Sequence, residues 1–200
     1  MNDAVGQRVI LITDPRWSLE RILEVVRALR DTPVLVQHRD KESPLAKLEE
    51  DAARIREVAR VFVLNAVRPD ADEVIDLAFR LGADGVHAKA KTALWTSVPA
   101  HDDEDLTKPA DALLVSPIFA TPGKGEPRGT AALERAGIAT AGKPTKIYAL
   151  GGITPASGCA SSSSITLASG AASSLKCTTW LWDSPCAVPS TAVTVGCSKT

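Results

Sequence analysis

The chain has 200 residues and a mass of 21.0 kDa, enough for one sizeable core. Its 44% hydrophobic and 24% charged residues are ordinary for a globular chain, and a formal net charge of -1 argues against a broad nucleic-acid-binding face, which needs a clustered basic excess. No stretch reaches the about 18 consecutive apolar residues of a membrane span, and the opening MNDAVGQR lacks a signal peptide's basic start and apolar run, so no membrane partner and a cytoplasmic location are expected.

Short apolar strands alternate with amphipathic helices. Residues 8–14 (RVILITD) form a continuous apolar run of strand length, as in a strand buried on both faces. Ser18 can cap the next helix, whose Leu19, Ile22, Leu23, Val26 and Leu29 make one stripe at helical spacing. Residues 33–41 (PVLVQHRDK) read as a second strand, and Ser43 with Pro44 opens a helix carrying Leu45, Leu48, Ala52, Ile55 and Ala59 on one face. A third strand, 61–65 (VFVLN), precedes a helix at 72–81 closed by Gly82. Strands four and five follow at 85–87 and 94–98 with little between them; strand six spans 111–119, a short helix 130–136, and strand seven 146–153.

Such alternation demands a parallel sheet with helices outside it. Seven strands in the first 153 residues leave room for an eighth unit, so the count fits a small (β/α)8 barrel, with a doubly wound open sheet as the alternative. In either architecture function gathers at the C-terminal ends of the strands. On strand two, Gln37, Arg39 and Lys41 share a face, with the two cations at the strand's end. An amide with two fixed cations suits a phosphate or pyrophosphate, although solvated charges leaving a strand would read the same way. Asn65 ends strand three in the same layer, where an amide either binds a ligand or caps a turn. The loop 120–129 (ATPGKGEPRG) offers glycines that admit an anion to the backbone, with Lys124 and Arg128 as cations. Gly151 and Gly152 follow strand seven, where many barrels bind phosphate. His87 and His101 at strand ends read as hydrogen-bonded structural residues rather than an acid and a base. There is no P-loop, GxGxxG or nucleophile elbow, and the cysteines at 159, 177, 186 and 197 lack zinc-site spacing and have no nearby His.

The segments LITDP at 11–15, VQHRDKE at 36–42, VLN at 63–65, GADGVH at 82–87, SPIFATPGK at 116–124 and ALGGITP at 149–155 together resemble the thiamine phosphate synthase and thiazole tautomerase superfamily. The resemblance covers roughly residues 8–155 and implies a (β/α)8 barrel. It also implies a transferase of thiamine biosynthesis that joins hydroxymethylpyrimidine pyrophosphate to a thiazole phosphate, giving thiamine phosphate and pyrophosphate. The partners it implies are therefore small phosphorylated substrates. By motif, Gln37 and Asn65 would hold the pyrimidine, and Arg39 and Lys41 its pyrophosphate. Thr121, Gly123 and Lys124 would cover the reacting phosphates, while Gly151 and Gly152 would offer backbone N–H groups to the thiazole's phosphate.

The chain also departs from the family. Synthases usually follow the strand-three Asn with an Asp that helps hold Mg2+, and here that residue is Ala66. A second metal carboxylate normally lies shortly after GADGVH, where this chain has Lys89 and Lys91; a pyrophosphate-contacting Ser at the end of strand five is replaced by Pro99. Mg2+ is expected for the family, but its usual carboxylate ligands are missing, and hard cations need oxygen donors. A thiazole tautomerase-like enzyme, which needs no metal, is one alternative, although its proton-transferring His falls at Pro117. A non-catalytic phosphate-binding relative is another.

Composition switches after residue 155. Residues 156–200 hold only Lys176, Asp183 and Lys199 as charges, 17 Ser plus Thr, and all four cysteines, with no helical stripe. This tail stands where the family's final βα unit belongs; the switch is what a shifted reading frame from about Ser157 would produce, with a natural new domain, linker or disordered tail as the alternative. A family-like continuation in another frame of the coding DNA is the expected finding.

Overall fold

The computed structural model describes Gln7, residues 9–153, and the backbone of strands at 175–177 and 192–199. Seven strands come first: β1 Val9–Ile12, β2 Val34–His38, β3 Val61–Asn65, β4 Gly85–His87, β5 Trp95–Ala100, β6 Ala112–Val115 and β7 Lys146–Ala149. Each pairs parallel with the next, in strictly sequential order. A doubly wound sheet reverses its strand order at a switch point, so sequential order rules out that alternative.

Two further strands, β8 Leu175–Cys177 and β9 Ala192–Lys199, extend the sheet. β9 pairs antiparallel with β7, with β1 and with β8. The result is an α/β fold with a curled, TIM-like run of parallel strands whose eighth position holds an antiparallel strand. The expected (β/α)8 repeat therefore stops at seven parallel strands. Of the tail expected at 156–200, only the backbones of β8 and β9 are described; the switch point near Ser157 lies outside the described residues.

Helices α1 Leu19–Ala28, α2 Leu45–Val58 and α3 Ala71–Arg80 follow β1, β2 and β3, and α4 Ala131–Ala139 lies between β6 and β7. Ser18 caps α1, its hydroxyl oxygen accepting from Arg21 N at 3.3 Å. At α2 the cap position falls on Pro44; Ser43 instead donates its backbone N–H to Asp40 Oδ1 at 2.9 Å. Strand six is shorter than expected, ending at Val115, and α4 runs three residues past the expected end at 136. β4 and β5 are joined by 88–94 without a helix, and β5 leads to β6 through one 3-10 turn at Asp105–Thr107.

Three apolar clusters result. Ile10, Leu35, Val61, Val63, Trp95, Leu114 and Tyr148 fill the space inside the curled sheet. Gly85 is required there: a Cβ would sit 2.4 Å from Trp95 O and 2.8 Å from its ring, so only glycine lets the indole fill the interior. Outside, one cluster packs α1–α3 on β1–β4, and a second packs α4 and Leu106 on β5–β7.

Candidate active site

Inward positions change character along each strand. With a side-chain period of two, Gln37 follows Leu35, Asn65 follows Val63, His87 follows Gly85, and Ser116 follows Leu114 on the same face. These four polar residues sit above the apolar interior, at the C-terminal ends of the strands. With Arg39, Lys41, Pro99, His101 and Lys124 they line a cavity of about 130 Å3 floored by Ile12, Leu114 and Leu150.

Three cations thus converge from two separate loops. Burial lowers the Lys41 ammonium below its ordinary pKa, assisted by Arg39 and Lys89; burial lowers Lys124 as well, assisted by Arg39 and Lys41. Repulsion among these groups is what an anion would relieve. Gln37, 1% exposed, has a buried Oε1 without a hydrogen-bond partner in the structure. An unpartnered buried carbonyl costs free energy until a donor reaches it.

The supports of this cluster are local. Thr13 Oγ1 accepts from Arg39 N at 3.0 Å and lies 3.0 Å from His38 Nδ1. Asp40 turns away from the cavity and accepts from the backbone N–H groups of Glu42 and Ser43 at 3.0 and 2.9 Å. Arg68 clamps the same loop: it donates to Asp40 O at 3.1 Å and Ser43 O at 2.8 Å, and pairs with Asp70 at 2.5 Å. Nothing in the sequence marked Arg68 among so many exposed arginines, because its role depends on a loop 25 residues earlier.

Asn65 does cap a turn, its Oδ1 accepting from Val67 N at 2.8 Å, while its side chain still lines the cavity. Thr121, Gly123, Gly151 and Gly152 are not among the lining residues. The Thr121 hydroxyl donates to Phe119 O at 2.9 Å. Gly151 and Gly152, with φ of 98° and 62°, press against the β6–α4 loop: a Cβ on Gly152 would lie 2.4 Å from Ala120 O. Their tight turn lets Ile118 N and Phe119 N donate to Leu150 O and Gly151 O at 2.9 and 3.0 Å. This binds the loop carrying Lys124 to the end of β7. Arg128 does not serve the cavity. It donates to Ala100 O at 3.0 Å and pairs with Asp103.

Both histidines reach the cavity wall. His87 Nδ1 lies 2.9 Å from Ser97 Oγ, and burial pushes its pKa down to about 3, so the ring is neutral. His101 Nδ1 lies 3.2 Å from Ser116 Oγ. Each is hydrogen-bonded, as expected of structural histidines, yet each also borders the cavity.

Mg2+ does not fit the residues present. No carboxylate lines the cavity, and no group of three His, Cys, Asp or Glu side chains suited to a metal occurs among the described residues. Ala66 is buried behind Asn65, its N–H donating to His87 O at 2.8 Å. A hard cation would meet ammonium and guanidinium groups where it needs anionic oxygen.

A curled sheet of sequential parallel strands, with a cationic cavity at their carboxyl ends, defines an α/β protein of TIM-like class. Within that class the chain belongs to the thiamine monophosphate synthase family, whose model matches residues 9–164. It is 33% identical over 137 residues to the thiamine-phosphate synthase of Gloeobacter violaceus, covering 58% of this chain and 38% of that protein. The chain thus spans well under half the length of that relative. No helix among the described residues is long and apolar enough to cross a membrane.

Proposed function

We propose that the chain is a transferase acting on phosphorylated heterocycles, condensing hydroxymethylpyrimidine pyrophosphate with thiazole phosphate to thiamine phosphate and pyrophosphate. Its frame is read as a (β/α)8 barrel whose last unit has been replaced. One observation carries the reading: Arg39, Lys41 and Lys124 meet over a cavity that also holds the unpartnered Gln37 carbonyl. The cations neutralise the pyrophosphate as its C–O bond breaks and its negative charge grows. Gln37 Oε1 accepts from an amino group on the pyrimidine, and the Asn65 side-chain amide donates to the same ring. Held together, the two substrates react as neighbours rather than by encounter. The thiazole's phosphate lies toward Gly151 and Gly152, where backbone N–H groups face an anion.

The test is an assay of thiamine phosphate formation from both substrates with cooperatively folded protein. Product that disappears in Arg39→Ala supports the proposal; folded protein that makes none overturns it. Absence of carboxylates from the cavity favours a second reading, a phosphate binder without turnover. Saturable binding of thiazole phosphate with no product would identify it. A tautomerase-like activity has less support, since Pro117 occupies its proton-transfer position.

A further inference from the structure

The family resemblance calls for a carboxylate-held divalent ion where this chain presents the opposite charge. Lys89 is the second residue after β4, whose last residue His87 lines the cavity, and the β4 end is fixed by Ala88 N donating to Ser97 O at 3.0 Å. Lys89 is exposed and makes no ion pair among the described residues. Lys91 behaves differently: its ammonium pairs with Asp111 at 2.9 Å and donates to Thr92 O and Leu94 O. Of the two lysines in the acidic position, Lys89 leaves the strand end that His87 brings to the cavity and has no ion pair among the described residues, whereas Lys91 is engaged by Asp111. Its field reaches Lys41 and helps lower that ammonium's pKa.

We propose that this chain binds pyrophosphate groups directly through Arg39, Lys41, Lys124 and Lys89, with Lys89 replacing the charge of a divalent cation, so that Mg2+ opposes binding instead of enabling it. The proposal rests on the pyrophosphate reading of the cavity. Free pyrophosphate offers these cations its full charge, whereas a Mg2+–pyrophosphate complex offers less and brings a cation into a cationic site. With no carboxylate lining the cavity, nothing in it compensates the incoming metal.

Titration calorimetry with inorganic pyrophosphate, in EDTA and in excess Mg2+, tests this on the full chain. The wild-type chain should bind in EDTA and bind more weakly in Mg2+. Lys89→Ala should weaken binding in EDTA by about fivefold, the size expected for one solvent-exposed charge contact. Lys89→Asp should bind more weakly still in EDTA and recover with Mg2+, while Lys143→Ala, in the exposed turn between α4 and β7, should match wild type. Circular dichroism melts confirm that each variant is folded. Binding seen only with Mg2+, or an unchanged affinity in Lys89→Ala, overturns the proposal while leaving the pyrophosphate reading intact. Binding in neither buffer overturns both.

Discussion

The two halves of the sheet are clothed differently. Over β1–β4, three full helices bury Leu23, Leu48, Ile55, Val74 and Leu77 in one continuous cluster. Ion pairs Arg54–Glu20 and Arg80–Glu49 join α2 to its neighbours at the surface. Over β5–β7 the covering among the described residues is one 3-10 turn and α4, with Leu106, Leu133 and Ile118 as the principal apolar contacts. The first half fixes Gln37, Arg39, Lys41 and Asn65 on strands and short clamped turns. The second supplies Lys124 from a loop held by backbone hydrogen bonds and the Arg128–Asp103 pair. A site built across such a seam draws its precision from one side and its adaptability from the other.

That contrast can be broken most forcefully in the cores. Leu48→Ala, on the fully buried face of α2, should cost about 2–5 kcal/mol in urea unfolding. Leu106→Ala on the 3-10 turn should fall at the low end of that range, because a thin cover collapses more readily around the gap. Equal costs would show the second half to be as tightly packed as the first.

Gly152→Ala should cost about 2–4 kcal/mol, from a strained positive φ and a Cβ driven against Ala120 O. It should also weaken pyrophosphate binding by displacing the loop that carries Lys124. Calorimetry on the folded fraction separates the two effects. Arg39→Ala, by contrast, should cut pyrophosphate affinity about a hundredfold with little change in the melt, as a lost charge-assisted contact does.

Acid should act on the first half and its boundary before the ion pairs. His38 and His87 have pKa values pushed down by burial to about 4 and about 3. The unfolded chain therefore binds protons from pH 6.5 downward that the folded chain refuses, and stability falls as pH drops from 6.5 toward 3. Melting temperatures across that range should decline, and His87→Asn should flatten the decline. The smallest change is expected from Asp103→Asn: its carboxylate is more than half exposed, so the loss should stay under about 1 kcal/mol.

Much of this was legible in the sequence for a simple reason. Strands buried on both faces leave continuous apolar runs, and amphipathic helices leave stripes, so β1–β3 and α1–α3 declare themselves locally. Gln37, Arg39 and Lys41 share a face by the period of two, and the structure does place all three on one cavity. The glycines at 151 and 152 were legible as the place after strand seven where many barrels bind phosphate, but not their work of seating the β6 loop, which depends on contact with residues some 30 positions away. Arg68 escaped notice, and the two histidines were read as structural residues without their place on the cavity wall, because an arginine or histidine looks the same in sequence whether it clamps a loop, lines a cavity or faces water.

By itself, then, the sequence determined the strand–helix alternation, the parallel pairing it requires, and the layer in which charge would collect. Those follow from periodicity, a property of neighbours along the chain. Only the tertiary structure decided that Lys124 joins Arg39 and Lys41 while Arg128 and Lys91 are engaged elsewhere. It alone decided that an antiparallel strand, β9, takes the eighth place in the sheet. Pairing of charges and closure of a sheet are set by distances between residues far apart in sequence, and no local pattern encodes them.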